Sequence, residues 1–163
     1  MTEALIAAVE SFPHWLATVV LSALPLTEHR LSIPIAIHSW NMAPLEAYGW
    51  AVLGALLPFF PLYYGLMALR GLCERHAPWL VGPIDRALAR SEKKVRQSYE
   101  KYGAIALCLF VAIPLPLTGL WTATLAAVAM KLPLKSSFVA IALGTLIAGG
   151  IVTFVSAGAE AWF

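Results

Sequence analysis

The stretch AIALCLFVAIPLPLTGLWTATLAAVAM, Ala104–Met130, decides how the rest of the chain is read. It runs 27 residues without a charge, longer than the roughly 20 apolar residues a spanning helix needs. Its middle forbids a simple span. Ile113-Pro114-Leu115-Pro116-Leu117-Thr118-Gly119 sets two prolines one residue apart. Each removes a backbone donor and biases the preceding residue away from helix. The spacing predicts two short helices, 104–113 and 120–130, around a break. Each is about 15 Å long, half the hydrocarbon thickness. Lys101 precedes the stretch, and Lys131 and Lys135 follow it. Basic flanks stay on the cytoplasmic side. Both ends then belong on one face, and the chain dips in and returns as a re-entrant hairpin. A single kinked, overlong span is the competing reading. Irregular backbone at that depth is tolerated only inside protein or along a cavity.

The whole chain supports a membrane setting. It has 163 residues, 60% hydrophobic and 12% charged, against roughly 25% charged in a soluble domain. Mean hydropathy is +0.77. One soluble core of this size cannot hide so much apolar surface, and disorder needs the opposite composition. A water-soluble enzyme is thereby excluded. Residues 70–101 hold eight Lys and Arg and four Asp and Glu, net +4, while the other residues sum to −2. This basic island belongs in the cytoplasm and faces lipid headgroups rather than nucleic acid. The first basic residue is Arg30, so no positive n-region of a signal peptide is evident, and both termini are expected outside a bacterial-type inner membrane. Cys73 and Cys108 fall in different environments and are not expected to pair. The four histidines show no metal-ligand spacing, and neither a metal nor a cofactor is expected.

Two further segments qualify as spans, Ala47–Leu69 and Ser136–Ala159, both uncharged. Pro58 and Pro61 should kink the first, and Gly144, Gly149 and Gly150 allow close helix approach in the second. The amino-terminal region repeats the grammar of Ala104–Met130: an uncharged run Ser11–Thr27, a polar break bounded by Pro25 and Pro34, then a half-helix Ile35–Leu45. The expected fold is an all-α integral membrane protein, two helix-break-helix re-entrant hairpins plus transmembrane helices in an inverted repeat. It forms one membrane domain, 1–163. The first half is 1–70, with a hairpin around 25–34 and a span at 47–69. A basic cytoplasmic loop at 71–103 carries an amphipathic helix, Leu80–Tyr102. The second half is 104–163, with a hairpin around 113–119 and a span at 136–159.

Glu28 and Arg30 are the only charges between Glu10 and Glu46, and both lie in the first break. Ionisable groups inside a membrane mark functional sites by default. Three readings stand. Glu28 carries a proton or cation and Arg30 anchors an anion, since its fork suits phosphate or carboxylate; or the two form an ion pair that holds the break; or both are ordinary interfacial charges. Beside the second break, Thr118, Gly119, Trp121 and Thr122 offer hydroxyls, close backbone approach and an indole N–H to a ligand, although Thr118 could equally cap the following helix. Pro25, Pro34, Pro114 and Pro116 define the two breaks. No paired-aspartate, HExxH or GxSxG signature points to catalysis, and no catalytic residue is expected.

Two motifs carry a resemblance. Pro25-Leu26-Thr27-Glu28-His29-Arg30-Leu31-Ser32-Ile33-Pro34 resembles the Glu-x-Arg-Gly-x-Ile-Pro element of the small multidrug export protein family. Phe110–Thr122 resembles that family's Ile-Pro-Leu-Pro-Gly-Thr-Gly-x-Trp-Thr element. Leu31 and Leu117 stand where the family has glycine, which would alter the geometry if those positions need positive φ or close ligand approach. The family is similar in architecture to the wider DedA group, some members of which are implicated in flipping lipid phosphates. The resemblance implies transport. Combined with the Arg30 fork, it gives the leading expectation: proton- or cation-coupled translocation of an anionic lipid-phosphate headgroup, with membrane lipids and a second copy of the chain as partners. A proton-coupled small-molecule or drug exporter is the alternative within transport. A non-transporting scaffold docking through the basic island is the alternative outside it.

Overall fold

The structure, a computed structural model, describes residues 12–76, 79, 82, 102–113 and 119–160. The regular elements among them are all helices. They are α1 His14–Ala23, α2 Glu28–His38, α3 Pro44–Leu56, α4 Phe59–His76, α5 Tyr102–Ala112, α6 Leu120–Ala129 and α7 Leu134–Glu160. Pro44–His76 and Leu134–Gly158 are long and apolar enough to cross a membrane. Pro58 has no N–H for the Gly54 carbonyl, so α3 stops beside it, and α4 resumes with Leu62 N–H donating to Pro58 O at 3.0 Å. The amphipathic helix expected over Leu80–Tyr102, and Pro114, Pro116, Leu117 and Thr118 of the second break, lie outside the described residues apart from Gly82 and from Tyr102, which opens α5. The basic loop begins later than residue 71, because α4 continues to His76.

Helices α1 and α2 pack antiparallel across the four residues 24–27. His14, at the start of α1, stacks on Trp40 just past α2 with ring centroids 5.4 Å apart, and Ser22, near the end of α1, shares a hydrogen bond with Ser32 in α2. Helices α5 and α6 pair the same way. Gly103 at the start of α5 lies against the Leu132 side chain just past α6. The long runs are antiparallel as well: Tyr48 donates to Leu146 O at 3.2 Å, while the rings of Phe59 and Phe60 pack at a tilt on Phe138. Buried Phe59, Tyr63, Leu107, Val111, Leu120 and Ile141 bind α4, α5, α6 and α7 into one cluster, and Ile33, Ile37, Ala47 and Ala51 join α2 to α3. Leu53, Leu57, Phe60, Met67, Leu143, Ile147 and Phe154 stay exposed. An apolar girdle of that extent suits lipid and not water.

Corresponding features recur at a spacing of ninety residues. Asn41 and Lys131, each just after the second arm of a hairpin, have φ of 50° and 53°. Met42 and Leu132, the next residues, are both buried. Ala47 N–H donates to Ala43 O and Ser137 N–H to Pro133 O, each at 2.9 Å, opening the two long runs alike. A Cβ on Gly54 would strike the Val19 carbonyl of α1, and one on Gly144 the Cys108 carbonyl of α5.

The first hairpin corrects one expectation. Its break covers only residues 24–27, and the second arm starts at Glu28 rather than near Ile35. Pro25 lies in the turn, but Pro34 lies inside α2. A proline there removes a single donor, the one for the Arg30 carbonyl. The helix continues through it because Ile33, Ala36 and Ile37 are packed at 0–2% exposure against their neighbours.

Candidate functional site

The tip of the first hairpin is tied by its own chain. Leu24 N–H and the Thr27 hydroxyl both donate to Leu21 O, meeting a carbonyl that the end of α1 would otherwise leave bare. Glu28 then enters α2 with φ of 43°. That is left-handed backbone, which costs a non-glycine residue about 1–3 kcal/mol and persists only where its surroundings enforce it. The enforcing contact comes from the second hairpin.

Gly119, the residue before α6, is extended, and no side chain of its own caps the helix. The Glu28 carboxylate does so instead, accepting from the backbone N–H groups of Leu120 and Trp121. A Cβ at position 119 would overlap both carboxylate oxygens, so only glycine admits this contact. Two residues further along α2, the Arg30 Nη2 donates to Val111 O at 3.3 Å and Ile113 O at 3.4 Å, at the end of α5. An anion sits at a helix start and a cation at a helix finish. Each opposes the local dipole, worth about 0.3–1 kcal/mol when exposed and up to about 2 when partly buried. Glu28 is only 8% exposed, and the Arg30 charge acts on it directly. Glu28 is therefore buried and Arg30 half-buried, and the hydrogen bonds of both run to the opposite hairpin.

The far end of α6 is held too. Arg70 Nη1 donates to Val128 O at 3.3 Å and Ala129 O at 3.0 Å, while its Nε donates to Glu74 at 3.0 Å. A ten-residue helix thus has Glu28 at its amino end and Arg70 at its carboxyl end, both supplied by the first half of the chain.

The structure brings Glu28, Arg30, Gly119 and the Trp121 backbone to one place. Thr122 is nearby, its hydroxyl donating to Gly119 O at 3.1 Å. Thr118 lies outside the described residues. Leu31 sits in α2, 43% exposed and not among the residues of positive φ, so that position needs no glycine conformation here. Trp40 and Trp50 pack on His14 and Trp15. Both cysteines are free, and no cluster of three His, Cys, Asp or Glu occurs among the described residues. Sequence reasoning expected the two breaks to form opposite halves of one site but missed Arg70, Gly54 and the contact of Glu28 with Gly119. A signal for the last was present: Leu24-Pro25-Leu26-Thr27 recurs as Leu115-Pro116-Leu117-Thr118. Set against each other, these tetrapeptides make Gly119 the counterpart of Glu28.

Among known proteins, a family model described as "Putative small multi-drug export protein" matches residues 28–151. The match opens on Glu28, just after the first turn, and takes in the second tip and most of α7. No curated protein and no solved structure matches the chain. With about three quarters of its length matched, from Glu28 at one hairpin tip into α7, the chain belongs to the small multi-drug export protein family.

Proposed function

We propose that this protein is a proton- or cation-coupled membrane transporter, with Glu28 as the coupling group and Arg30 as the anchor for an anionic substrate group. The carrying observation is that the one charged pair at the hairpin tips is bonded to both cut helix ends of the opposite hairpin. Protonating Glu28 would weaken its hold on the amino end of α6. Arg30 would exchange two carbonyls for the oxygens of a phosphate or carboxylate, which its fork fits better. In this reading the hairpins are re-entrant and related by an inverted repeat, for which the ninety-residue spacing and the antiparallel long runs argue. The basic loop is cytoplasmic, both termini lie outside the inner membrane, a second copy completes the wall around the tips, and no covalent chemistry is performed. A lipid-phosphate headgroup fits Arg30. Small-molecule export is the second reading, favoured by the family description.

Liposomes holding the full chain test this. Labelled phosphatidylglycerol is followed across the bilayer, and a fluorescent cationic dye is followed in parallel, each with and without a pH gradient. Gradient-dependent lipid movement that falls about 10- to 100-fold in Glu28→Gln and Arg30→Gln supports the first reading, as the loss of a charged hydrogen bond implies. Dye movement alone supports export. Movement of neither, with well-folded protein, sinks both. Cysteine labelling at positions 28, 84, 117, 131 and 160 on a Cys73- and Cys108-free background tests the topology. Opposite sidedness at 84 and 131 would withdraw the re-entrant hairpin.

A further inference from the structure

His29 sits between Glu28 and Arg30 and has no part in the transport step above. It is 1% exposed, and neither ring nitrogen has a hydrogen-bond partner. A neutral imidazole carries one donor and one acceptor, and a charged one carries two donors. Two polar groups are therefore unmet in every protonation state. Buried polar groups in folded proteins nearly always pair with protein or with ordered water, and lipid offers no substitute.

A second unmet group lies in α7, a helix against which α2 packs. Thr145 in α7 is fully buried, and its hydroxyl has no partner. Thr18, Thr124 and Thr153 each turn their hydroxyl back to the carbonyl four residues earlier; Thr145 does not. Its height in the bundle follows from two contacts. Arg30 reaches Val111 O, and Val111 lies against Gly144, the residue before Thr145. The titratable groups of the neighbouring helices stand at the opposite ends: His14 opens α1, Glu46 lies in the first turn of α3 and Lys135 in that of α7. At the level of the tips, Glu28 and Arg30 are the charges nearest His29 in sequence.

We propose that His29 and Thr145 bind internal water, and that this water relays a proton between the Glu28 carboxyl and the imidazole. The relay rests on reading Glu28 as the coupling group; the water site does not. The step balances simply. The Glu28 carboxyl gives its proton to a bound water, which passes one of its own to the bare imidazole nitrogen, leaving a carboxylate, a water and an imidazolium. The reverse step restores the start.

The test uses the full chain in lipid nanodiscs with 15N-histidine, the His29 signals being assigned by their loss in His29→Gln. Magnetisation transfer from water to the His29 ring, comparable with that at exposed His76, is the expected result. Transfer to His14, His38 and His76 but not to His29 overturns the water site. Thr145→Val should weaken transfer to His29 and Thr145→Ser should keep it; no change in Thr145→Val removes Thr145 from the site. Glu28→Gln should shift the pH at which the His29 ring titrates, and an unchanged titration overturns the relay. A dry His29 beside Glu28-dependent transport defeats this proposal alone. A hydrated His29 in a chain that transports nothing defeats the transport reading and leaves the water site standing.

Discussion

The two hairpin tips share a tetrapeptide, Leu24–Thr27 and Leu115–Thr118, and then diverge. The first continues Glu28-His29-Arg30, all polar, and the second Gly119-Leu120-Trp121. In the first tip, hydroxyl and amide groups meet the local carbonyls. In the second, the described helix ends at Val111 and at Leu120 and Trp121 are met by side chains of the first. The difference has a steric cause. Glu28 and Gly119 occupy corresponding places, and the carboxylate of one fills the space where the Cβ of the other would stand. Two tips that meet at these places cannot both carry a side chain there. One side supplies the charge and the other must be bare.

The severest break of this arrangement is Gly119→Ala. The new methyl has to expel the Glu28 carboxylate, which uncaps α6 and leaves a buried charge with poorer partners. Overpacking plus the lost cap should cost about 3 kcal/mol, read as a fall in apparent Tm in detergent. Glu28→Gly on top of it should recover most of the loss, because it empties the contested space and relieves a backbone at φ of 43°. A Gly119→Ala protein as stable as the wild type would mean that the tips do not meet this way.

Charge changes at the first tip come next. Arg30→Lys keeps the charge but replaces the fork that reaches two carbonyls with a compact ammonium. Glu28→Gln keeps the shape and one acceptor oxygen. Each should cost about 1–2 kcal/mol. The two changes should also couple, since both residues act on the second hairpin and on one another. Additive losses in the double variant would argue that the two groups work separately.

The scaffold around the tips allows a symmetric test. Gly54→Ala presses α3 on the Val19 carbonyl, and Gly144→Ala presses α7 on the Cys108 carbonyl. Corresponding contacts should give similar losses, about 1–3 kcal/mol each, and should add because they lie in different halves. A large difference in apparent Tm between the two would sharpen the comparison by showing which half is the stiffer.

Much of this was legible in the residues. Two prolines one apart force a break in any helix, so the arms of the second hairpin were read to within two residues. The long runs were read because they are uncharged. The first hairpin was misjudged at Pro34, where the proline argument is local and the packing of Ile33, Ala36 and Ile37 that overrides it is not. The role of Gly119 was read as room for a ligand, whereas the structure fills that room with Glu28. Nothing within one hairpin announces what the other places against it. The repeated Leu-Pro-Leu-Thr was the available clue, and it works only when the halves are compared.

The smallest expected effect concerns Leu31, where the resembling family has glycine. A glycine required for positive φ or close approach would make Leu31 a strained residue, and Leu31→Gly would then stabilise the chain and widen the site. The structure argues the other way. Leu31 is in the first turn of α2, its N–H donates to Thr27 O at 3.1 Å, and its side chain is 43% exposed. Leu31→Gly should therefore cost about 1 kcal/mol, the helical penalty of glycine, and lower the apparent Tm slightly while leaving the Glu28 and Arg30 contacts in place. A rise in Tm instead would show that position 31 is pressed by something against the first tip, and that the two tips differ less than their sequences suggest.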